Sequence, residues 1–174
     1  FGLHHPVVPS VFITHQLIIK APYQWVEYIF RRINYYFINQ FTACWVPDMI
    51  ANPGLAGKLS HPAVMPKVPV SYMKLLSRFT RVSCATKYSF AIVLSGPEPQ
   101  RTILENNILI DLEAFTKPVV LIRGLPTETE PIEVPPHVTV FNHLDTIDLA
   151  LELQQADYII CRGGYTSLME LLSI

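Results

Sequence analysis

The apolar positions of this chain fall into two regimes, separated by a stretch with no period. In the first regime, residues 8–14 (VPSVFIT) read as a short buried strand. Residues 23–41 then place Val26, Ile29, Phe30, Ile33, Phe37 and Phe41 at helical spacing, one apolar stripe along a helix. Trp25, Tyr28, Tyr35 and Tyr36 lie outside that stripe, together with Arg31 and Arg32. Such a basic-aromatic face suits either a membrane surface or packing inside a larger domain. Residues 43–46 (ACWV) read as a strand closed by Pro47-Asp48. Between residues 52 and 80 the period is lost, because Pro53, Pro62, Pro66 and Pro69 interrupt it and Gly54 and Gly57 add turns.

In the second regime, strands and helices alternate. Strands are expected at 89–94, 118–123, 138–141 and 157–161, and helices at 100–115, at 144–155 and from 167 onward. Continuous apolar, β-branched strands between helices argue for a parallel sheet covered on both faces. The expected fold class is therefore α/β. Its expected organisation is a partial N-terminal domain over residues 1–65, a semi-rigid linker over 66–80 and a second α/β domain over 81–174.

Composition narrows the function classes. Half of the 174 residues are hydrophobic and 16% are charged, which excludes a disordered chain. The net charge of −1 argues against a surface built to grip nucleic acid. Cys44, Cys84 and Cys161 are far apart and odd in number, so reduced thiols and a cytoplasmic location are expected. No apolar run approaches the ~20 residues of a membrane-spanning helix. The chain opens on Phe1 and closes inside a helical pattern, so it reads as a piece of a longer protein.

In parallel α/β sheets, ligands bind beyond the carboxyl ends of the strands. After residue 161 the chain reads Arg162-Gly163-Gly164-Tyr165-Thr166-Ser167-Leu168-Met169-Glu170. Gly163 and Gly164 would let backbone approach a phosphate at a helix start, and Arg162 would add positive charge. Glu170 would accept from ribose hydroxyls. The competing reading is a capping box, Ser167-x-x-Glu170, which needs no ligand. After residue 94, Gly96 sits in a weak phosphate-loop position, where Pro97 and Pro99 equally suit a proline-started helix. Asn142, His143 and Leu144 could pack on a base and offer it backbone groups, or Asn142 or His143 could simply cap a helix. His15, just past the first strand, is a candidate base or a structural histidine. His4, His5, His61 and His137 have no partner at ligand spacing, so no metal site is expected.

Ala156, Asp157, Cys161, Arg162, Gly164, Ser167 and Glu170 together resemble the nucleotide-sugar motif of GT-B glycosyltransferases of the family-28 group. Residues 138–142 resemble that family's base-holding strand and loop, and residues 9–16 its acceptor-side strand. The resemblance spans most of the chain and is densest from residue 138. It implies two Rossmann-like lobes, with Gly164 and Ser167 at the donor phosphates and Glu170 on the ribose. The implied activity is sugar transfer, without metal or other cofactor, from a nucleotide diphosphate-sugar to an acceptor hydroxyl, lipid-linked or otherwise. His15 would be the base, and the protein would lie in the cytoplasm or peripherally at the inner face of the membrane. The family's acceptor loop would precede Phe1 and its donor-sugar loop would follow Ile174, so this chain alone is expected to be inactive. Residues 95–100 depart from the family's glycine-rich loop, carrying Glu98 between two prolines. A UDP-sugar 2-epimerase of the same architecture and a non-catalytic nucleotide- or partner-binding subunit are the alternatives.

Overall fold

The computed structural model describes residues 8–174. The chain divides into two compact units, one ending at Leu76 and one spanning Ser77–Ile174. Among the described residues, all strand pairing is parallel and falls into two separate sheets. The architecture is α/β and compatible with a Rossmann-like fold.

The first unit contains β1 (Val11–Ile13), α1 (Gln24–Ile38), β2 (Ala43–Val46) and β3 (Val70–Tyr72), in sheet order β1-β2-β3. β3 falls inside the stretch expected to be linker. It pairs Cys44 with Val70 and Val46 with Tyr72. Leu17, Ile38, Cys44 and Val46 form a small core, with Phe12, Tyr35, Val68 and Val70 packed around it.

α1 is turned differently from its stripe. Ile29, Phe30 and Ile33 are 43%, 39% and 50% exposed. The inward side uses Ile38, while Asn34 Nδ2 donates to the Leu17 carbonyl at 3.0 Å and the Tyr35 hydroxyl donates to the Val64 carbonyl. Tyr35 therefore leaves the outward basic-aromatic group. The reason is local: loops, with their free carbonyls, cover much of α1's inner side, and polar side chains satisfy them.

The loop after β2 is organised by Asp48, which is fully buried. Its carboxylate accepts from the N–H groups of Met49, Leu55 and Ala56 and from the Ser60 hydroxyl, at 2.6–3.0 Å. Burial pushes the Asp48 pKa up, but the Ser60 and backbone hydrogen bonds outweigh it and hold it below the ordinary value. The same loop presents the Leu59 carbonyl to Leu17 N and Ile18 N, fastening the segment that follows His15.

The second unit runs β4 (Tyr88–Val93), α2 (Gln100–Glu113), β5 (Val119–Ile122), β6 (Val138–Phe141), α3 (Thr146–Gln154), β7 (Ala156–Cys161) and α4 (Tyr165–Leu171). Its sheet order is β6-β5-β4-β7. All four residues of β5 are buried, which makes it the centre of two cores. Val120 and Ile122 join Phe79, Ala91, Ala150 and Leu153 on one face. Val119 and Leu121 join Ile92, Leu94, Leu112 and Val138 on the other. Alternation along one strand thus feeds both faces, as a sheet covered on both sides requires. β7 ends the sheet, with Tyr158 and Ile160 exposed on it.

Strands β4, β5 and β6 extend the sheet in one direction, and β7 then pairs on the opposite side of β4. The order reverses there, so the switch point lies between the loop after β4 and the loop after β7.

Candidate functional site

The switch point brings Gly96 and Arg162 together. Arg162 Nη1 donates to the Ser95 carbonyl at 3.2 Å. Gly96 has φ +104°, and a Cβ there would lie 1.9 Å from Arg162 Nη1. The torsion favours glycine, since L side chains rarely adopt it, and any side chain there would have to displace the Arg162 guanidinium. Gly163 and Gly164 are exposed next to Arg162, and a Cβ on Gly163 would meet nothing within 4 Å. Cys161, at the end of β7, has its thiol pKa raised by burial.

The expected capping box does not form. α4 begins at Tyr165 with Gly164 as its N-cap, in extended conformation and without a side-chain cap bond. Ser167 therefore lies in the first turn and Glu170 in the second, too far along the helix to cap it. Glu170 is instead buried, and its Oε1 accepts from Arg78 Nε at 2.7 Å. Arg78 Nη1 also reaches Thr146 Oγ1 at 3.5 Å. The carboxylate raises the Arg78 pKa through this hydrogen bond and its charge.

The loop after β6 does not cap α3 with the residues expected. Asp145 caps α3, accepting from Ile147 N and Asp148 N at 2.9 Å. Neither Asn142 nor His143 does so. The Asn142 side chain is engaged at both ends: Oδ1 accepts from Arg123 Nη1 at 2.7 Å, and Nδ2 donates to the Glu128 and Glu130 carbonyls. Leu144 packs on the core and His143 is exposed. His15 lies in the first unit, half-buried just past the carboxyl end of β1.

Beneath these loops runs a buried ionic chain that the sequence reading missed. Glu105 on α2 accepts from Arg123 Nε and from Arg101 Nη2, the latter at 3.1 Å. Arg101 also donates to Glu98 Oε1 at 2.6 Å and to the Arg123 carbonyl. Arg101, Glu105 and Arg123 are all buried. Burial raises the Glu105 pKa, but the hydrogen bonds and charges of Arg123 and Arg101 more than offset it and leave the carboxyl below its ordinary value. The chain links the loops after β4, β5 and β6 into one rigid edge. Gly124 tightens it further, since at φ +70° a Cβ would stand 2.5 Å from the Leu94 carbonyl oxygen.

The chain matches no protein-family model, no curated protein sequence and no solved structure.

Chemically, the switch-point edge offers one exposed guanidinium and two open glycines, which can contact an anionic group, while the Glu170 carboxylate is buried against Arg78. A groove of about 640 Å³ lined by Arg81, Cys84, Gln154, Ala156 and Ile174 opens beside the amino end of β7 instead. It lies at the wrong end of the strands for the site such a sheet builds. Among the described residues, no cluster of three or more His, Cys, Asp or Glu has the grouping to hold a metal ion.

Proposed function

We propose that the second unit binds a nucleotide diphosphate-sugar and belongs to a GT-B glycosyltransferase of the family-28 type, which moves the sugar to an acceptor hydroxyl. The observation that carries this reading is the position of residues 156–170. They form β7, its loop and α4 at the one place where the strand order reverses. In the proposed reaction Arg162 stabilises charge developing on the leaving diphosphate, the electrostatic contribution that usually dominates such transfers. Glu170 accepts from the ribose hydroxyls, Asn142 orders the loop beside the base, and His15 takes the acceptor's proton.

The test is UDP titration calorimetry on the wild-type chain and on Glu170→Gln. The variant is expected to weaken binding by about 1.5–3 kcal/mol for a lost charge-assisted hydrogen bond, or roughly tenfold to over a hundredfold in Kd. Equal affinity in the two proteins would remove Glu170 from the site. No UDP binding by the wild type at millimolar concentration would sink the reading.

A membrane-bound acceptor belongs to the same proposal. Up to Leu76 the sequence has six Lys and Arg against two Asp and Glu, whereas Ser77–Ile174 has seven against twelve. The basic unit also carries the outward apolar side of α1, with Trp25, Tyr28, Ile33 and Tyr36 at least half exposed. No helix among the described residues is long and apolar enough to cross a membrane. Contact would thus be peripheral, through α1 lying on an anionic surface.

A further inference from the structure

Both acidic residues of the first unit are committed to other partners. Glu27 pairs with Lys20 at 3.1 Å, and Asp48 is enclosed by its own loop. Arg31, Arg32 and Lys67 are left over: among the described residues, none of the three forms an ion pair. The fold nevertheless brings them to one place. They line a single groove of about 430 Å³ between α1 and the segment 64–67 that leads into β3.

The walls of this groove are fixed. The Tyr35 hydroxyl donates to the Val64 carbonyl, and Asn39 Oδ1 accepts from Lys67 N at 2.8 Å and from Val68 N at 3.4 Å. Tyr35 and Asn39 are one turn apart on α1, so two successive turns hold the segment against the helix. Pro66, between the two anchored residues, is buried. The arginines are held as well. Tyr28 precedes them by three and four residues and shares their face of the helix. The two guanidinium carbons stand 5.6 and 5.8 Å from its ring centroid, and Arg32 Nη1 donates to its hydroxyl at 3.1 Å.

Two guanidiniums drawn to one ring, with an ammonium on the facing segment, repel one another. Contact with the ring softens that repulsion without neutralising it. An anion in the groove would neutralise it. A carboxylate brings one negative charge, whereas a phosphate monoester brings nearly two, with three acceptor oxygens. The planar fork of arginine engages such oxygens in pairs, and lysine meets them as a point charge.

We propose that this groove is a binding site for a phosphate monoester, carried on a lipid headgroup or free in solution. The lipid source rests on the membrane contact proposed above; the recognition of phosphate does not. All of the groove's residues belong to the first unit, so it draws on none of the switch-point loops of the second.

The experiment is calorimetric titration of the whole chain with inorganic phosphate at low ionic strength. It compares the wild type with Lys67→Gln, with the pair Arg31→Gln and Arg32→Gln, and with Lys58→Gln. Lys58 is exposed in the same unit but outside the groove, so its variant removes the same charge elsewhere. Lys67→Gln should weaken phosphate binding about tenfold, as loss of one charge-assisted bond does, and the arginine pair roughly a hundredfold. Lys58→Gln should stay within about twofold, being screened and distant. Phosphate should raise the Tm of the wild type and leave that of the arginine pair unmoved. Equal losses in Lys67→Gln and Lys58→Gln would reduce the groove to general attraction by a basic surface and overturn the proposal. Phosphate binding indifferent to Lys67, or no binding by the wild type at millimolar phosphate, would overturn it too. Sedimentation with phosphatidylcholine vesicles separates the sources, using phosphatidate or, at matched surface charge, phosphatidylglycerol. A preference for phosphatidate that Lys67→Gln abolishes supports the groove with a lipid ligand. Lys67-dependent phosphate binding without sedimentation on either vesicle supports the groove with a free ligand and sinks the membrane contact. Equal sedimentation on both vesicles, unchanged in Lys67→Gln and without phosphate binding, overturns the groove and leaves the membrane contact standing.

Discussion

The two units solve the same problem with different resources. The sheet of Ser77–Ile174 is packed on both faces and ties its carboxyl-end loops together with buried arginines and Glu105. The sheet ending at Leu76 has short strands, one small core and a buried carboxylate that holds backbone N–H groups. In the second unit buried charge is answered by charge; in the first it is answered by peptide dipoles. Paired ions join the loops at the carboxyl ends of β4, β5 and β6 to one another through Glu98, Arg101, Glu105, Arg123 and Asn142. An aspartate wrapped in its own loop has no free lone pair to offer, so it stiffens the unit without recognising anything.

That contrast can be broken most forcefully at Glu105. Glu105→Ala leaves Arg101 and Arg123 buried without their shared partner and should cost about 3–5 kcal/mol, read by urea denaturation. Acid should act on the same residue. The Glu105 pKa lies below its ordinary 4.5 in the folded state. Its contribution is therefore whole above pH 4.5 and is lost as the pH falls through the lower folded value. Melts that show no acid loss in the wild type, or the same loss in Glu105→Gln, would contradict this assignment.

Asp48→Ala tests the first unit's counterpart. It removes the acceptor of three N–H groups and the Ser60 hydroxyl, and should cost about 3 kcal/mol. The loss should appear as faster hydrogen exchange at Leu55 and Ala56, with Ser77–Ile174 unchanged. Exchange that rises equally in both units would mean that they do not melt separately.

The next contrast is between surfaces. Arg31→Glu with Arg32→Glu should weaken sedimentation with anionic vesicles by about 2 kcal/mol at ~1 kcal/mol per basic residue, roughly thirtyfold. Binding to neutral vesicles should change little. Equal sedimentation of variant and wild type would remove the membrane from the proposal. The smallest effect is expected for Ile33→Ser. This residue is half exposed, so stability should move by less than about 0.5 kcal/mol, while vesicle binding falls. A large drop in Tm would show that the outward side of α1 is covered in solution.

How much of this was legible beforehand depends on what each signal encodes. β2 and β6 lie at the expected 43–46 and 138–141, since β-branched and aromatic runs bounded by turn residues are strong local signals. β3 was missed because three residues behind Pro69 are too few to show an alternation. The stripe on α1 marked a helix correctly, but periodicity reports that one face is apolar, not which face is buried. Ser167-x-x-Glu170 imitates a capping box, while Gly164 in extended conformation starts the helix two residues earlier. The ionic chain was the largest omission. Arg101 and Glu105 at helical i,i+4 spacing look like a solvated pair. Only Arg123, arriving from the end of β5, draws them inside.

β7 carries one more consequence. Among the described residues it is hydrogen-bonded on its β4 side, and its outer row of peptide groups pairs with no described strand. Asp157 is the one charged residue along Ala156–Cys161, and Tyr158 and Ile160 are exposed there. An unpaired, nearly uncharged edge of this kind is a template for another strand. Colloidal behaviour should accordingly be governed by this border rather than by the depth of either core. Two preparations of equal Tm could differ widely in the concentration at which they stay clear, and a charge added at position 160 should raise that ceiling.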